Sequence, residues 1–168
     1  NQLRHCNEIS FCQNPLSFTA ENQHKMTLAC KELAQFHYDH NEDIRKLYDR
    51  HHFSANDLTC YEDLKKIPTL GVSAMKSFLF HSVPEEQAML KLTSSGTRGQ
   101  KTQIWFDQES FDRVQGMLDG VLEQEGLVSK TPTNYIVFTY DPNEAKDLGI
   151  AYTEKNQLRF APVKNVFY

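Results

Sequence analysis

Residues 90–107, LKLTSSGTRGQKTQIWFD, bring chemically useful side chains together in one short loop. The hydroxyl-bearing residues are Thr93, Ser94, Ser95 and Thr97. Gly96 and Gly99 let the backbone curve and approach a ligand closely, while Arg98 and Lys101 add positive charge. Hydroxyl and amide donors on such a curve suit phosphate oxygens. The loop therefore predicts a polyphosphate site, and an ordinary turn built from the same residue types is the alternative.

Two familiar phosphate-binding loops do not fit this stretch. The P-loop pattern G-x-x-x-x-G-K-[ST] lies between a strand and a helix, whereas GTRGQKT has different glycine spacing and precedes a strand-like alternation. The dinucleotide fingerprint G-x-G-x-x-G is also absent from the sequence. Any phosphate binding here must use another architecture.

The loop is predicted to join one strand to another. Residues 102–107 alternate between two faces, with Ile104 and Phe106 assigned to the core and Trp105 to the opposite face against a second layer. Asp107 is then predicted to cap a long helix that ends near Gly126.

Helical patterns come earlier in the chain. Residues 20–39 repeat apolar residues at three- and four-residue steps, and Asn41 is predicted to cap a second helix. A capping box formed by Thr59 and Glu62 predicts a third helix that ends at Pro68, and Ser73 is predicted to cap a short fourth one.

Strands are predicted again near the end of the chain. Residues 134–140 read as a buried strand, and further strands are expected at 149–153 and 158–161. The order of elements predicts an α/β fold. A mainly helical portion at 1–84 is expected to lead into the start of an α/β nucleotide-binding domain at 85–168. The two are expected to form one continuous unit that continues beyond the sequence.

Composition narrows the class of protein. A net charge of −4 and a pI near 6.0 argue against general affinity for nucleic acid, and no apolar run is long enough for a membrane span. The four cysteines lack zinc-site spacing and the opening residues show no secretory leader, so we expect reduced thiols and a cytoplasmic location. Cys30 is expected to act as a small apolar residue.

Two weaker candidates were weighed against plain structural roles. His37 and His40 could share a metal, but no third ligand is fixed by spacing, so solvated histidines at a helix end are expected and no metal site is predicted. Ser73 and Lys76 form S-x-x-K, yet the partner elements of penicillin-binding enzymes are missing, so we expect no hydrolase chemistry.

The segment TSSGTRG resembles the phosphate-binding signature of adenylate-forming enzymes, [ST]-[ST]-G-[ST]-T-G. Its flanks, DLKKIPTLGVSAMKSFLF before and QIWFDQESFDRVQGML after, resemble the acyl-protein synthetases of bacterial luminescence operons and, more distantly, the phenylacetate-CoA ligases. The segment KDLGIAYTEKNQLRFAP falls where these relatives have part of the nucleotide-binding domain, and the resemblance covers about residues 58–168. Arg98 departs from the signature, as does Lys101 followed by Thr102, where many relatives have Pro-Lys.

The resemblance implies the mixed-sheet N-terminal domain of an adenylate-forming enzyme, with ATP and Mg²⁺ as cofactors. The substrate would be a fatty or other hydrophobic carboxylic acid, and the acceptor a thiol of a protein cysteine or of coenzyme A, with a reductase as a possible partner. The loop positions implied to bind ATP are Thr93, Ser94, Ser95, Gly96, Thr97, Arg98, Gly99 and Lys101. The catalytic residues of the family are expected beyond Tyr168.

Two other functions stay open on the sequence. One is an aryl- or acyl-CoA ligase of the phenylacetate type, which differs in its acceptor. The other is a non-catalytic module that binds a nucleotide or an acyl ligand and supports a partner reductase.

Overall fold

The computed structural model describes residues 3–78, 80–93, 102–138, 158 and 160–167. Helices α1 (Arg4–Ser10), α2 (Ala20–His40) and α3 (Glu42–Arg50) form the first part, followed by 3₁₀ turns at Ala55–Asp57 and Tyr61–Lys66 and by helix α4 (Ala74–Ser77). After a 3₁₀ turn at Glu85–Gln87 come strands β1 (Leu90–Thr93) and β2 (Gln103–Phe106), helix α5 (Gln108–Gln124), and strands β3 (Thr133–Ile136) and β4 (Val163–Phe167). The mixture of helices and small sheets agrees with the α/β prediction.

The main apolar core lies between α2, α3 and the turn that follows them. Ala34, Ile44, Tyr48, Phe53 and Leu58 are buried there, and Leu58 is only 2% exposed. Cys30 is half-buried against this core, as predicted for a small apolar residue.

A second apolar cluster holds α1 against α2. It contains Leu3, Cys6 and Ala29, with Leu33 and Phe36 packed around them. Helix α1 was not among the predicted helices, although Leu3, Cys6 and Ile9 follow the three-residue spacing that puts side chains on one helical face.

The helix boundaries follow capping residues. Thr19 accepts a hydrogen bond from the Asn22 backbone amide at 3.2 Å at the start of α2. The Asn41 side chain accepts from the Ile44 amide at 3.0 Å, which confirms the predicted N-cap of α3. These side-chain acceptors satisfy amides that have no partner within the first helical turn.

The predicted third and fourth helices differ from the structure. Residues Tyr61–Lys66 form a 3₁₀ turn instead of an α-helix, and Asp63 rather than Glu62 caps it. The Asp63 carboxylate accepts from the backbone amide and the hydroxyl of Thr59, at 2.9 and 2.6 Å, because the shorter side chain lies close to the start of the turn. Helix α4 does form, but Ser73 makes no side-chain cap.

The strands near the end of the chain also require corrections. Strand β3 (Thr133–Ile136) overlaps the start of the segment predicted at 134–140. Ile136 is 70% exposed and Phe138 is 96% exposed, so the prediction that this segment is buried is wrong. The strand expected at 158–161 is wrong, since Leu158 lies in a turn and β4 begins at Val163, where it pairs in parallel with β3. Tyr135 hydroxyl bonds to both the amide and the carbonyl of Ala161 fix that turn beside β3. The strand predicted at 149–153 lies outside the described residues.

The domain boundary at residue 84 stays a prediction. Within the described ranges, no helix is both long enough and apolar enough to span a membrane.

Candidate functional site

Strands β1 and β2 form the frame of the candidate phosphate loop. They pair antiparallel, with Leu90 opposite Phe106 and Thr93 opposite Gln103. A further bond from the Met89 amide to the Phe106 carbonyl, 2.8 Å long, extends the ladder. Paired residues in such a ladder have Cα atoms about 4.5–5.5 Å apart, so the two ends of the loop are held side by side. The predicted strand-loop-strand setting is confirmed.

The loop itself lies outside the described residues. Thr93 ends β1, whereas Ser94, Ser95, Gly96, Thr97, Arg98, Gly99 and Lys101 belong to the range that is not described. Their predicted role as phosphate ligands stays a prediction.

The burial of one hairpin residue differs from the prediction made from the sequence. Leu92 pairs with Ile104 on one face, as the alternation requires. Ile104 is nevertheless 46% exposed, so its predicted core packing is wrong, while Phe106 is half-buried. A two-stranded ladder leaves part of each face without a neighbouring strand, and the described residues do not cover Ile104 completely.

Trp105 is the centre of an aromatic and charged cluster on the other face. The His81 imidazole stacks on the indole ring with centroids 4.6 Å apart and an interplanar angle of 19°. The Lys91 ammonium lies 4.4 Å from the indole centroid, within cation–π range. Trp105 thus lies on the face predicted for it, opposite to that of Ile104 and Phe106, and its packing against a second layer stays a prediction. His81 and Lys91 were not predicted as neighbours of Trp105, because the pairing of Lys91 with Trp105 depends on the hairpin register.

Lys91 is also paired with a carboxylate. Its ammonium donates to Glu85 at 2.5 Å, and this hydrogen bond lowers the pKa of the Glu85 carboxyl group below its ordinary value. Lys91 is therefore engaged by Glu85 and Trp105, which leaves Arg98 and Lys101 as the loop cations predicted to meet phosphate.

Two hydrogen bonds connect the segment before the hairpin to the end of α2. Asn41 donates its side-chain amide to the His81 carbonyl at 2.9 Å. His37 Nδ1 lies 2.7 Å from the Ser82 hydroxyl. The hairpin is thus fixed to the helical part through residues 81 and 82.

The predicted exposure of the two histidines is correct for His40 and wrong for His37. Burial, with a smaller contribution from nearby His40, lowers the pKa of His37 below its ordinary value. His37 packs beside Phe36 and Ser82 because the chain returns over the end of α2 at this point. In the described ranges no group of three or more His, Cys, Asp or Glu residues could hold a metal ion.

Helix α5 starts directly after β2. The Asp107 side chain accepts from the Ser110 amide at 2.8 Å, which confirms the predicted N-cap. One turn later, the Arg113 guanidinium donates to Asn7 Oδ1 of α1 at 3.2 Å. These contacts place the start of α5 between the hairpin and the first helix.

The four cysteines form no disulfide, and burial of Cys6 and Cys30 disfavours nucleophilic chemistry at these two thiols. Burial raises the pKa of the Cys6 thiol to about 12, and the neighbouring Glu32 acts in the same direction. Burial also raises the pKa of Cys30. A thiolate is the reactive form of cysteine, so burial disfavours the reactive form of both thiols. Ser73 and Lys76 of the S-x-x-K motif are both exposed.

Comparison with known proteins gives consistent matches. The family described as "Acyl-protein synthetase, LuxE" matches residues 3–167. The long-chain-fatty-acid–luciferin-component ligase of Aliivibrio fischeri is 32% identical over 123 residues, which is 71% of this chain and 32% of the relative. The ligase of the same description from Vibrio harveyi is 26% identical over 113 residues, covering 67% of this chain and 29% of the relative.

The chain thus spans about a third of the length of these curated relatives. The family match covers nearly every residue of the sequence, including the hairpin that frames the hydroxyl-rich loop. On these grounds the chain belongs to the LuxE family of acyl-protein synthetases.

Proposed function

We propose that the protein takes part in ATP-dependent activation of a fatty or other hydrophobic carboxylic acid and in transfer of the acyl group to a thiol. The observation that carries the proposal is the antiparallel β1–β2 hairpin, because its register holds both ends of a loop rich in hydroxyls, glycines and cations. Family membership supports an acyl-protein synthetase, and the relatives bear the name of fatty-acid ligases.

The chemistry assigns a definite task to the loop. A carboxylate oxygen attacks the α-phosphorus of ATP, the bond to the β-phosphate oxygen breaks, and pyrophosphate leaves with the bonding electrons. The thiolate of the acceptor then attacks the acyl carbon and releases AMP. Hydroxyl and amide donors on the β- and γ-phosphates stabilise the charge that develops on the leaving pyrophosphate.

The residues of the loop fit a triphosphate by their chemistry. The hydroxyls of Ser94, Ser95 and Thr97 donate to phosphate oxygens, and Arg98 and Lys101 supply charge. A bound Mg²⁺ would offset phosphate charge and orient the triphosphate. In this proposal the metal ligands and the acyl-acceptor thiol lie outside the 168 residues, which fits the raised pKa values of the buried thiols. Four unpaired cysteines accord with a cytoplasmic location.

Isotope exchange in the complete gene product tests the proposal. A hydrophobic carboxylic acid should drive exchange of labelled pyrophosphate into ATP, because adenylate formation is reversible. Ser95→Ala and Thr97→Ala should each reduce the exchange rate at limiting ATP about tenfold or more, since each removes a phosphate donor. The matched control Ser129→Ala changes a serine far from the hairpin in sequence and should leave exchange unchanged.

Absence of exchange across acids of different chain length and aromaticity would exclude the ligase function. If exchange occurs, coenzyme A is added and the protein is examined by mass spectrometry, which identifies the acceptor of the acyl group. Acyl groups found on coenzyme A rather than on a protein cysteine would assign the protein to the alternative, a ligase of the phenylacetate type.

A further inference from the structure

A cavity of about 440 Å³ lies between the helical part and the hairpin. Its walls come from α1, α2, residues 80–83, the end of β2 and the first turns of α5. The volume falls within the range of about 300–1,000 Å³ that small-molecule sites occupy. The cavity therefore has the size of a ligand site and shares strand β2 with the candidate phosphate loop.

The walls of this cavity are mainly apolar. Aliphatic, thioether and aromatic side chains from four elements face it, among them Leu3, Ile9, Met26, Leu33, Phe106 and Met117. Water gains few hydrogen bonds in such surroundings. An aliphatic chain, in contrast, is favoured there because its transfer from water removes apolar surface.

The cavity also has polar wall residues from several elements: Ser10, His37, His81, Ser82, Asp107, Ser110 and Arg113. Arg113 is the single Lys or Arg among its described wall residues, and the Arg113 side chain is 12% exposed. Besides its bond to Asn7, Arg113 has a carboxylate neighbour, Glu109, at 3.5 Å. The guanidinium has five N–H groups, so it retains donors for a further acceptor.

Trp105 also lines the cavity. Its indole Nε1 is fully buried, so the contact assigned to Trp105 is apolar and the N–H is given no ligand.

We propose that this cavity between α1, α2, β2 and α5 is the binding site for a free fatty acid, with the aliphatic chain against the apolar walls and the carboxylate at Arg113. The assignment rests on the proposed function, because the relatives are named as long-chain-fatty-acid ligases. It deepens that function by giving the acid a site in these 168 residues.

Trp105 provides a direct probe, since it is the one tryptophan in the 168-residue sequence. A dibrominated stearate should quench the fluorescence of Trp105 in this chain without ATP, because bromine quenches only at short range. Binding of a series of saturated acids, measured by relief of that quenching, should strengthen roughly fourfold for each added methylene until the cavity is filled. Affinity that does not depend on chain length would refute the proposal.

Substitutions on helix α5 test whether the acid binds in this cavity. Val114→Phe and Met117→Phe fill the cavity and should each weaken binding at least tenfold. Val114 is 41% exposed and Met117 is 48% exposed, so a larger side chain can be accommodated at either position without unfolding the protein. The matched control is Val128→Phe, at a 47% exposed valine outside the cavity, and it should bind as the parent does. Equal quenching in all three variants would mean that the acid binds elsewhere.

The proposed contact between the carboxylate of the acid and Arg113 is tested by comparing the binding of an acid with that of its methyl ester. Arg113→Gln should weaken binding of the acid about tenfold and leave binding of the ester unchanged. Equal loss of affinity for the acid and the ester would contradict a carboxylate at Arg113.

The other possible occupant of the cavity is a segment of the complete gene product. If the 168-residue chain binds the acid but the complete product does not, that segment fills the cavity and the proposal is wrong.

These measurements separate this inference from the proposed function. Binding of the acid requires no ATP, so a failed pyrophosphate exchange with intact quenching would reject only the ligase function. Intact exchange with no quenching would reject only the cavity as the acid site.

Discussion

Asn41 performs two tasks with one buried side chain. Its oxygen accepts from the Ile44 amide at 3.0 Å, and its nitrogen donates to the His81 carbonyl at 2.9 Å. Asn41 is 7% exposed, so water does not replace either partner readily. One residue thus both starts α3 and holds the segment that leads to the hairpin.

We expect Asn41→Ala to lower the free energy of unfolding by about 2–4 kcal/mol, because it removes a helix cap and leaves the His81 carbonyl without its donor. Asn41→Ser is the control, since serine keeps the cap but is too short to reach His81, and its loss should be about 1–3 kcal/mol. Urea unfolding measures both variants. Equal stability of the alanine variant and the parent would show that neither bond contributes.

Residues close in sequence determine where helix α5 begins and where it ends. Asp107 caps its start, and Gly126 follows its end with a φ of +66°. The left-handed conformation after a helix is the usual place for glycine. Between these ends only Leu122 is fully buried, so much of the predicted apolar face of α5 is only partly covered by the described residues.

Gly126→Ala should reduce the free energy of unfolding by about 1–2 kcal/mol, the cost of a Cβ in the left-handed region. A Cβ at Gly126 would meet no atom within 4 Å, so the loss is conformational and not steric. The matched control is Gly71→Ala, whose Cβ would be 3.6 Å from the Ser73 hydroxyl oxygen and whose φ is ordinary. Chemical denaturation should show that the control changes the free energy of unfolding by no more than about 0.5 kcal/mol. Equal effects at both positions would contradict the conformational explanation.

On the scale of the whole molecule, α2 and the hairpin are joined through few polar contacts. His37 meets Ser82 at 2.7 Å, and the stacked rings of His81 and Trp105 continue the connection to β2. Burial lowers the pKa of His37, so the folded protein favours its neutral form. This contact makes the junction sensitive to pH.

Since the unfolded chain binds a proton at His37 more tightly than the folded chain, the stabilising contribution is complete above about pH 6.5 and declines as the pH falls below it. The decline can reach about 1.4 kcal/mol per pH unit for one proton. His37→Asn keeps a hydrogen-bonding group near Ser82 but does not titrate. Unfolding curves of the parent and the variant between pH 7.5 and 4.5 should therefore diverge, with the parent losing more stability. Parallel curves would show that His37 does not titrate on unfolding.

Features that depend on neighbours a few residues apart could be predicted from the amino-acid sequence. The caps at Asn41 and Asp107, the glycine after α5 and the strand alternation around the loop all follow from local hydrogen bonding or local backbone sterics. The hydroxyl-rich loop was likewise recognisable from residue types and spacing, and its framing strands are where the alternation predicted them.

Contacts between residues distant in sequence became known only from the folded chain. The burial of His37 depends on the return of the chain at Ser82, and the neighbours of Trp105 depend on the strand register and on the path of residue 81. The cavity beside Phe106 needs walls from both the first helix and the fifth. Periodicity assigns a side chain to a face of its own element, but burial and cavity shape depend on which other elements cover that face, and this is settled by packing across the whole chain.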